Sequence, residues 1–242
     1  MKLNYTLFCC LFSLFIFGQE IKTTNFINEI RNYDISNVLT KERPAPMGFI
    51  GGNYQRFYIH FVSVIKNSNN PLEYFVYGKS KVKNNICPFQ GKITIKKCGT
   101  YIDPDFPDAK QGTIVGEYRF FEDPNQRGSG TFKGNFSSDF MFDKKGQLAY
   151  NDIMFGADGF TNNEFEGTWV SYKTKSSKTC NWGDYRIPNS GDLDLGAGEF
   201  SPNPKYIANG WKNYQLAWSF NSDKASEEKA RQKEKEKWWL KE

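Results

Sequence analysis

The chain has 242 residues, a formal net charge of +5, 38% hydrophobic and 17% aromatic residues, and a single histidine, His60. That length suits one domain or two small ones, and the apolar and aromatic content excludes global disorder. One imidazole excludes multi-histidine metal sites and leaves one partner for any Ser/His or Cys/His relay.

The N-terminus reads as an export signal. Lys2 is a short positive region, and Leu7 to Phe17 is an apolar run of secretory length, too short to span a bilayer. Gly18 supplies a small residue for cleavage, and Gln19-Glu20 opens a polar chain. Residues 1–18 are therefore expected to be a cleaved signal peptide, giving a periplasmic or secreted product with no transmembrane helix. Cys9 and Cys10 lack a small residue directly before them, which argues against a lipoprotein anchor. Cleavage removes one lysine, and the remaining positive charge is too mild to point to nucleic acid.

Residues 19–220 read as one β-rich domain. Phe26, Ile27, Ile30 and Tyr33 recur at helical spacing, and Tyr33-Asp34-Ile35 can also start a strand, so a short helix or strand is expected within 21–40. Pro44, Pro46, Gly48, Gly51 and Gly52 break the chain. From Tyr54 the period is two, with Phe57, Ile59, Phe61, Ser63 and Ile65 on one face. Further runs lie at Leu72 to Val82, around Ile93 and Ile95, and at Ile114 to Phe121, separated by turn signals. Strands this close together, with no long helix between them, predict a mainly β fold: an antiparallel barrel or sandwich. Aromatics on both faces favour a sheet covered on both sides, or a closed barrel with an apolar lumen.

A pattern recurs in this region: Ile114-x-Gly116-x-Tyr118, Phe132-x-Gly134-x-Phe136 and Phe165-x-Gly167-x-Trp169. In a strand the glycine shares a face with the two large residues, leaving a slot that a neighbouring aromatic can fill. With Gly128-x-Gly130-x-Phe132, the segment resembles the hairpin of MORN repeats, stacked β-hairpins used in protein and membrane contacts. The glycine intervals of 18 and 33 residues differ from that family's constant period, which points to shared hairpin physics rather than kinship.

Export places Cys87, Cys98 and Cys180 in an oxidising compartment. Cys87 and Cys98 flank a short alternating stretch, so a local disulfide between them is expected, with Cys180 left over. A bridge from Cys180 to either one competes with that pairing.

The segment least like scaffold is 180–211, where Trp182, Asp184, Tyr185, Arg186, Asp192, Asp194, Glu199 and Trp211 lie among glycines. Asp192-x-Asp194-x-Gly196 resembles the opening of a calcium loop, but Leu193 and Leu195 intervene and Glu199 comes too early. Two of Asp184, Asp192, Asp194 and Glu199 could form a glycosidase pair. Alternatively, Trp182, Asp184, Tyr185, Arg186 and Trp211 form a recognition surface without chemistry. The bland reading is that Arg186 pairs with Asp184 or Asp192 and Trp182 fills the core. Residues 221–242 alternate lysine and glutamate without Gly or Pro, predicting a charged C-terminal helix. Asn221 or Ser222 could cap it, and Trp238, Trp239 and Leu240 could anchor it to the domain, a partner or a lipid surface.

No serine-hydrolase elbow, phosphate loop or dinucleotide fingerprint is present. The leading functional expectation is an exported, non-enzymatic binding protein of the cell envelope or exterior, with a glycan or an apolar small molecule as ligand and no cofactor. The alternatives are a carbohydrate-active hydrolase using carboxylates in 184–199, and a structural partner of another envelope protein.

Overall fold

The computed structural model describes residues 22–41, 45–218 and 223–240. The expected signal peptide at 1–18 lies outside the described residues. The strands are β1 (Thr23–Asn25), β2 (Met47–Ile50), β3 (Gln55–Lys66), β4 (Glu73–Val82), β5 (Asn85–Tyr101), β6 (Gln111–Glu122), β7 (Gly130–Phe142), β8 (Leu148–Tyr150), β9 (Asn162–Ser171) and β10 (Ser177–Asp184). A short helix α1 (Ser36–Thr40) precedes β2, and α2 (Lys212–Ala217) and α3 (Lys224–Glu234) follow β10. The 21–40 segment contains both a strand and a helix. In α3, the Asp223 side chain caps the first turn by accepting from Ser226 N–H, while Asn221 and Ser222 lie outside the described residues.

All strand pairings are antiparallel. The order runs β5-β4-β3-β2-β10-β9-β7-β6, and β6 pairs back onto β5, so eight strands close into a barrel. The two short strands β1 and β8 add to β5 and β7. The mainly antiparallel β fold with a C-terminal helix is thus observed, and the closing β5–β6 ladder makes it a barrel. Closure leaves these eight strands paired on both sides.

The alternating pattern becomes a lumen. Phe57, Phe89, Phe120, Phe132, Phe165 and Trp182 are fully buried inside it. Their rings pack directly, with Phe165 stacked on Trp182 at 4.9 Å and Phe89 on Phe120 at 5.0 Å between centroids. The recurrent glycines make this crowding possible. Tyr118 lies opposite Gly134, which is itself paired with Gly167, and a Cβ at either glycine would overlap backbone of the neighbouring strand. Phe136 likewise covers Gly116, where a Cβ would come within 2.5 Å of its ring. The large–glycine–aromatic pattern is therefore a packing device across neighbouring strands.

Bulges shift the period in two places. A register break between Phe61 and Ser63 in β3 turns Val64 inward, leaving Ile65 exposed rather than on the Phe57 face. A second break, between Ile95 and Lys97 in β5, turns Cys98 inward.

The expected Cys87–Cys98 disulfide is absent, and Cys87, Cys98 and Cys180 are free and buried. The reason is that residues 87–98 form no hairpin. Both cysteines sit on the single strand β5, where about 3.3 Å of rise per residue puts them roughly 35 Å apart, against a Cα limit near 7 Å.

Two further layers complete the molecule. Ile30, Ile35, Val38 and Leu39 join the barrel core, and α1 packs on β3, β7 and β8, closing one end. A second core lies outside the barrel, where Met47 and Phe49 of β2 meet Ile187, Leu193, Phe200, Tyr206 and Trp211. The tail crosses the outer face of β3: Trp239 stacks on His60 at 3.8 Å and Trp238 meets Tyr58 edge-on. The tail tryptophans thus anchor the helix to the domain.

Candidate functional site

The end of the barrel opposite α1 is a mouth formed by the β2–β3, β4–β5 and β6–β7 connections. The inward face of β6 runs Ile114, Gly116, Tyr118, Phe120 and then Glu122, so the strand's last inward position carries a carboxylate. Glu122 is 4% exposed. It accepts hydrogen bonds from Ser80 Oγ of β4 at 2.5 Å, Gly130 N–H of β7 at 2.7 Å and Trp169 Nε1 of β9 at 2.9 Å. Burial raises its pKa above the usual carboxylate range, while the bonds from Ser80, Trp169, Gly130 and Cys87 oppose that rise. The same burial, with the Glu122 charge next, pushes the Cys87 thiol up to about 12, so it is not a thiolate nucleophile at neutral pH.

Above this floor lies a cavity of about 520 Å³. Its walls include Asn53, Gln55, Lys83, Asn85 and Lys178 beside Trp169. Lys178 places its ammonium 5.7 Å from the Trp169 ring centre. Asn85 Nδ2 lies 3.2 Å from both the Arg127 carbonyl and Cys87 Sγ, tying the β6–β7 loop to β5. Tight turns shape the rim: Gly51, Lys83 and Gly128 all adopt positive φ. The site combines a buried acceptor, an indole edge, amide groups and a basic rim. That set can orient a small polar molecule.

The residues singled out in 180–211 go to several places. Trp182 lies inside the barrel and Trp211 in the outer core, both fully buried, with Trp211 Nε1 donating to the Tyr54 carbonyl at 2.8 Å. Asp184 is buried at the α1 end, where its Oδ2 accepts from Asn163 at 2.9 Å and Tyr150 at 3.2 Å. Tyr185 meets Phe160 edge-on, with positive φ. Arg186 pairs with Asp194 at 2.6 Å, not with the expected Asp184 or Asp192, and donates to the Gly196, Ala197 and Gly198 carbonyls, pinning the glycine-rich loop. Asp192 is exposed and accepts from Tyr206 Oη at 2.8 Å, which with Lys205 lowers its pKa. Glu199 is exposed. Asp184, Asp192 and Asp194 therefore belong to separate hydrogen-bond sets. Asp194 also accepts from Gly196 N–H and Ser201 N–H, so its oxygens are taken by the loop itself. Among the described residues no group of three or more His, Cys, Asp or Glu could hold a metal.

Glu122 lies outside the dense 180–211 motif, and strand parity alone marks it in the sequence. Its signal was present: an alternating strand whose inward face runs large, glycine, aromatic, aromatic and then acidic. No family model, no curated protein and no solved structure matches this chain.

Proposed function

We propose that the protein is an exported, non-enzymatic binding protein of the cell envelope or exterior, and that its ligand is a small hydroxylated, glycan-type molecule held in the barrel mouth. The observation that carries this is the cavity of about 520 Å³ above the buried Glu122 floor. Its size falls in the roughly 300–1,000 Å³ range of small-molecule sites. Aromatic side chains already fill the lumen below, leaving the polar mouth as the place for a guest. Glu122, Asn53, Gln55 and Asn85 supply directional bonds for hydroxyls, Trp169 an aromatic edge, and Lys83 and Lys178 attraction for an acidic substituent. This favours a sugar or sugar acid over an apolar guest.

Thermal-shift and calorimetric titrations with neutral sugars, uronic acids and a fatty acid test the reading. A saturable rise in melting temperature with a sugar or sugar acid, reduced by Lys178→Ala and Asn53→Ala, is expected. Binding of the fatty acid alone, or sugar binding indifferent to both variants, would overturn it.

A further inference from the structure

We propose that the outer face of β3 to β6 docks on an anionic lipid surface. On this side of the barrel the alternation fails to produce a polar exterior. Val62, Ile65, Phe75, Tyr77 and Phe121 are exposed, Ile65 at 61% and Val62 at 48%. They are neighbours by register. Ile65 lies opposite Phe75, Ser63 opposite Tyr77, and Tyr77 shares a cross-strand row with Gln90 and Phe121. Val62 shares the outward parity of Tyr58 and His60, and Ile65 joins it because the Phe61/Ser63 bulge re-aims the strand. The bulge therefore adds Ile65 to the patch.

Cations are interleaved with these side chains. The row from Ile65 and Phe75 continues through Lys92, Arg119 and Lys133 on successive strands. Lys92 holds its ammonium 5.3 Å from the Phe75 ring centre, and the Arg119 guanidinium lies 5.2 Å from that of Phe121. Lys79 follows Tyr77 on the same face of β4, opposite His60. Acidic groups on this side are fewer: Glu73 pairs with Lys92 and Glu117 with Lys96. The tail extends the patch, since Trp239 stacks on His60 and the next residue, Leu240, is 71% exposed.

Aromatic and aliphatic groups standing beside long basic stems match the boundary of a bilayer, where acyl chains lie just beneath phosphates. Each Lys or Arg near an anionic leaflet adds about 1 kcal/mol of attraction. A two-fold contact with a second copy would bring Lys92 and Arg119 toward their own counterparts, a like-charge cost that lipid phosphates reverse. Strand addition by a peptide is closed off as well, because β3 to β6 are paired on both sides.

The test is co-sedimentation of the full chain after signal removal, using phosphatidylcholine vesicles with and without phosphatidylglycerol. Partition onto the anionic vesicles only, weakened by salt, is expected. Lys92→Gln with Arg119→Gln should lower it about tenfold or more, and Phe75→Ser with Ile65→Ser should lower it comparably. Lys144→Gln with Lys145→Gln, on the β7–β8 loop, should leave it unchanged; circular dichroism melts check that each variant is folded. No partition, partition indifferent to the patch variants, or equal binding to neutral vesicles overturns the proposal. Binding to soluble polyglutamate in place of vesicles also overturns it, and assigns the face to an acidic protein.

Discussion

Glu122 in the barrel and Arg56 in the outer core are both buried charged side chains, and the two cores accommodate them differently. In the barrel, the Glu122 carboxylate is held by donors from β4, β7 and β9, all parts of the closed sheet. In the outer core, Arg56 points away from the lumen, is 2% exposed, and meets one carboxylate, Glu234 of α3, at 3.1 Å. Aromatic faces supply the rest of its surroundings: its guanidinium carbon lies 4.2 Å from the Trp211 ring centre, 4.8 Å from Tyr58 and 5.2 Å from Tyr214. Its Nε and Nη1 have no hydrogen-bond partner among the described residues. The barrel thus satisfies its ion through strands that must be paired for the fold to exist. The outer core relies on a helix whose described apolar burial is slight, with Ala230 as the buried residue of α3. The barrel and the wrap that the outer core and α3 form around it should therefore separate under stress.

The largest effects come from the two fully buried tryptophans. Trp182→Ala removes a ring packed against Phe57, Tyr118, Phe132 and Phe165, and should cost about 3–5 kcal/mol of global stability. Trp211→Ala opens a comparable cavity, but in the wrap. Denaturant titration of Trp211→Ala should show an early fluorescence transition ahead of the far-ultraviolet transition of the sheet. Coincident transitions in that variant would break the distinction. Next comes Glu234→Gln, which leaves the Arg56 guanidinium buried without a counter-charge, a cost approaching about 3 kcal/mol. Limited proteolysis should then release the 223–240 segment while the barrel stays intact. Arg56→Met combined with Glu234→Met should recover much of that loss, since a well-packed apolar pair can replace a buried ion pair.

The barrel was legible because its physics is local. Period-two alternation from Phe57, the turn at Asn67 to Pro71 and the spaced glycines mark strands that each bury one face. What parity alone does not reveal is a bulge: one extra residue at Val62 exchanges the roles of Val64 and Ile65, and one near Lys96 carries Cys98 into the lumen. The same limit led to the disulfide expectation, because Cys87 and Cys98 flank a short stretch on paper but stand far apart along one extended strand. For Arg186 a nearby aspartate partner was legible but its identity was not: spacing pointed to Asp184 or Asp192, and the loop fold presents Asp194 instead. Arg56 with Glu234 was not legible, since 178 positions separate them and nothing local links them.

A smaller effect probes the barrel's own ion. Burial raises the pKa of Glu122 in the folded chain above its unfolded value. Below the unfolded pKa both states are protonated and the group is neutral in its effect. As pH rises through the folded pKa, the native state must carry the buried charge, so this group's contribution to stability falls. Glu122→Gln removes that dependence. Between about pH 4 and 7, the melting temperature of the variant should gain on that of the native sequence as pH rises. An offset constant across that range would mean that hydrogen bonding, not charge burial, governs the site.

The smallest expected effect is none, and it sharpens the comparison most directly. Cys98 and Cys180 are free and buried, and desolvation raises both thiols, Cys98 to about 12. Dithiothreitol should therefore leave the melting temperature where it is; a fall on reduction would reveal a disulfide. Labelling of Cys180 must wait for the barrel to open, because the residue is fully enclosed between β2 and β9. Releasing the wrap with Glu234→Gln should leave the Cys180 labelling rate unchanged, whereas Trp182→Ala should accelerate it. If Glu234→Gln accelerates labelling as much as Trp182→Ala does, then Arg56 and its aromatic cage help hold the barrel closed, and the two cores unfold as one.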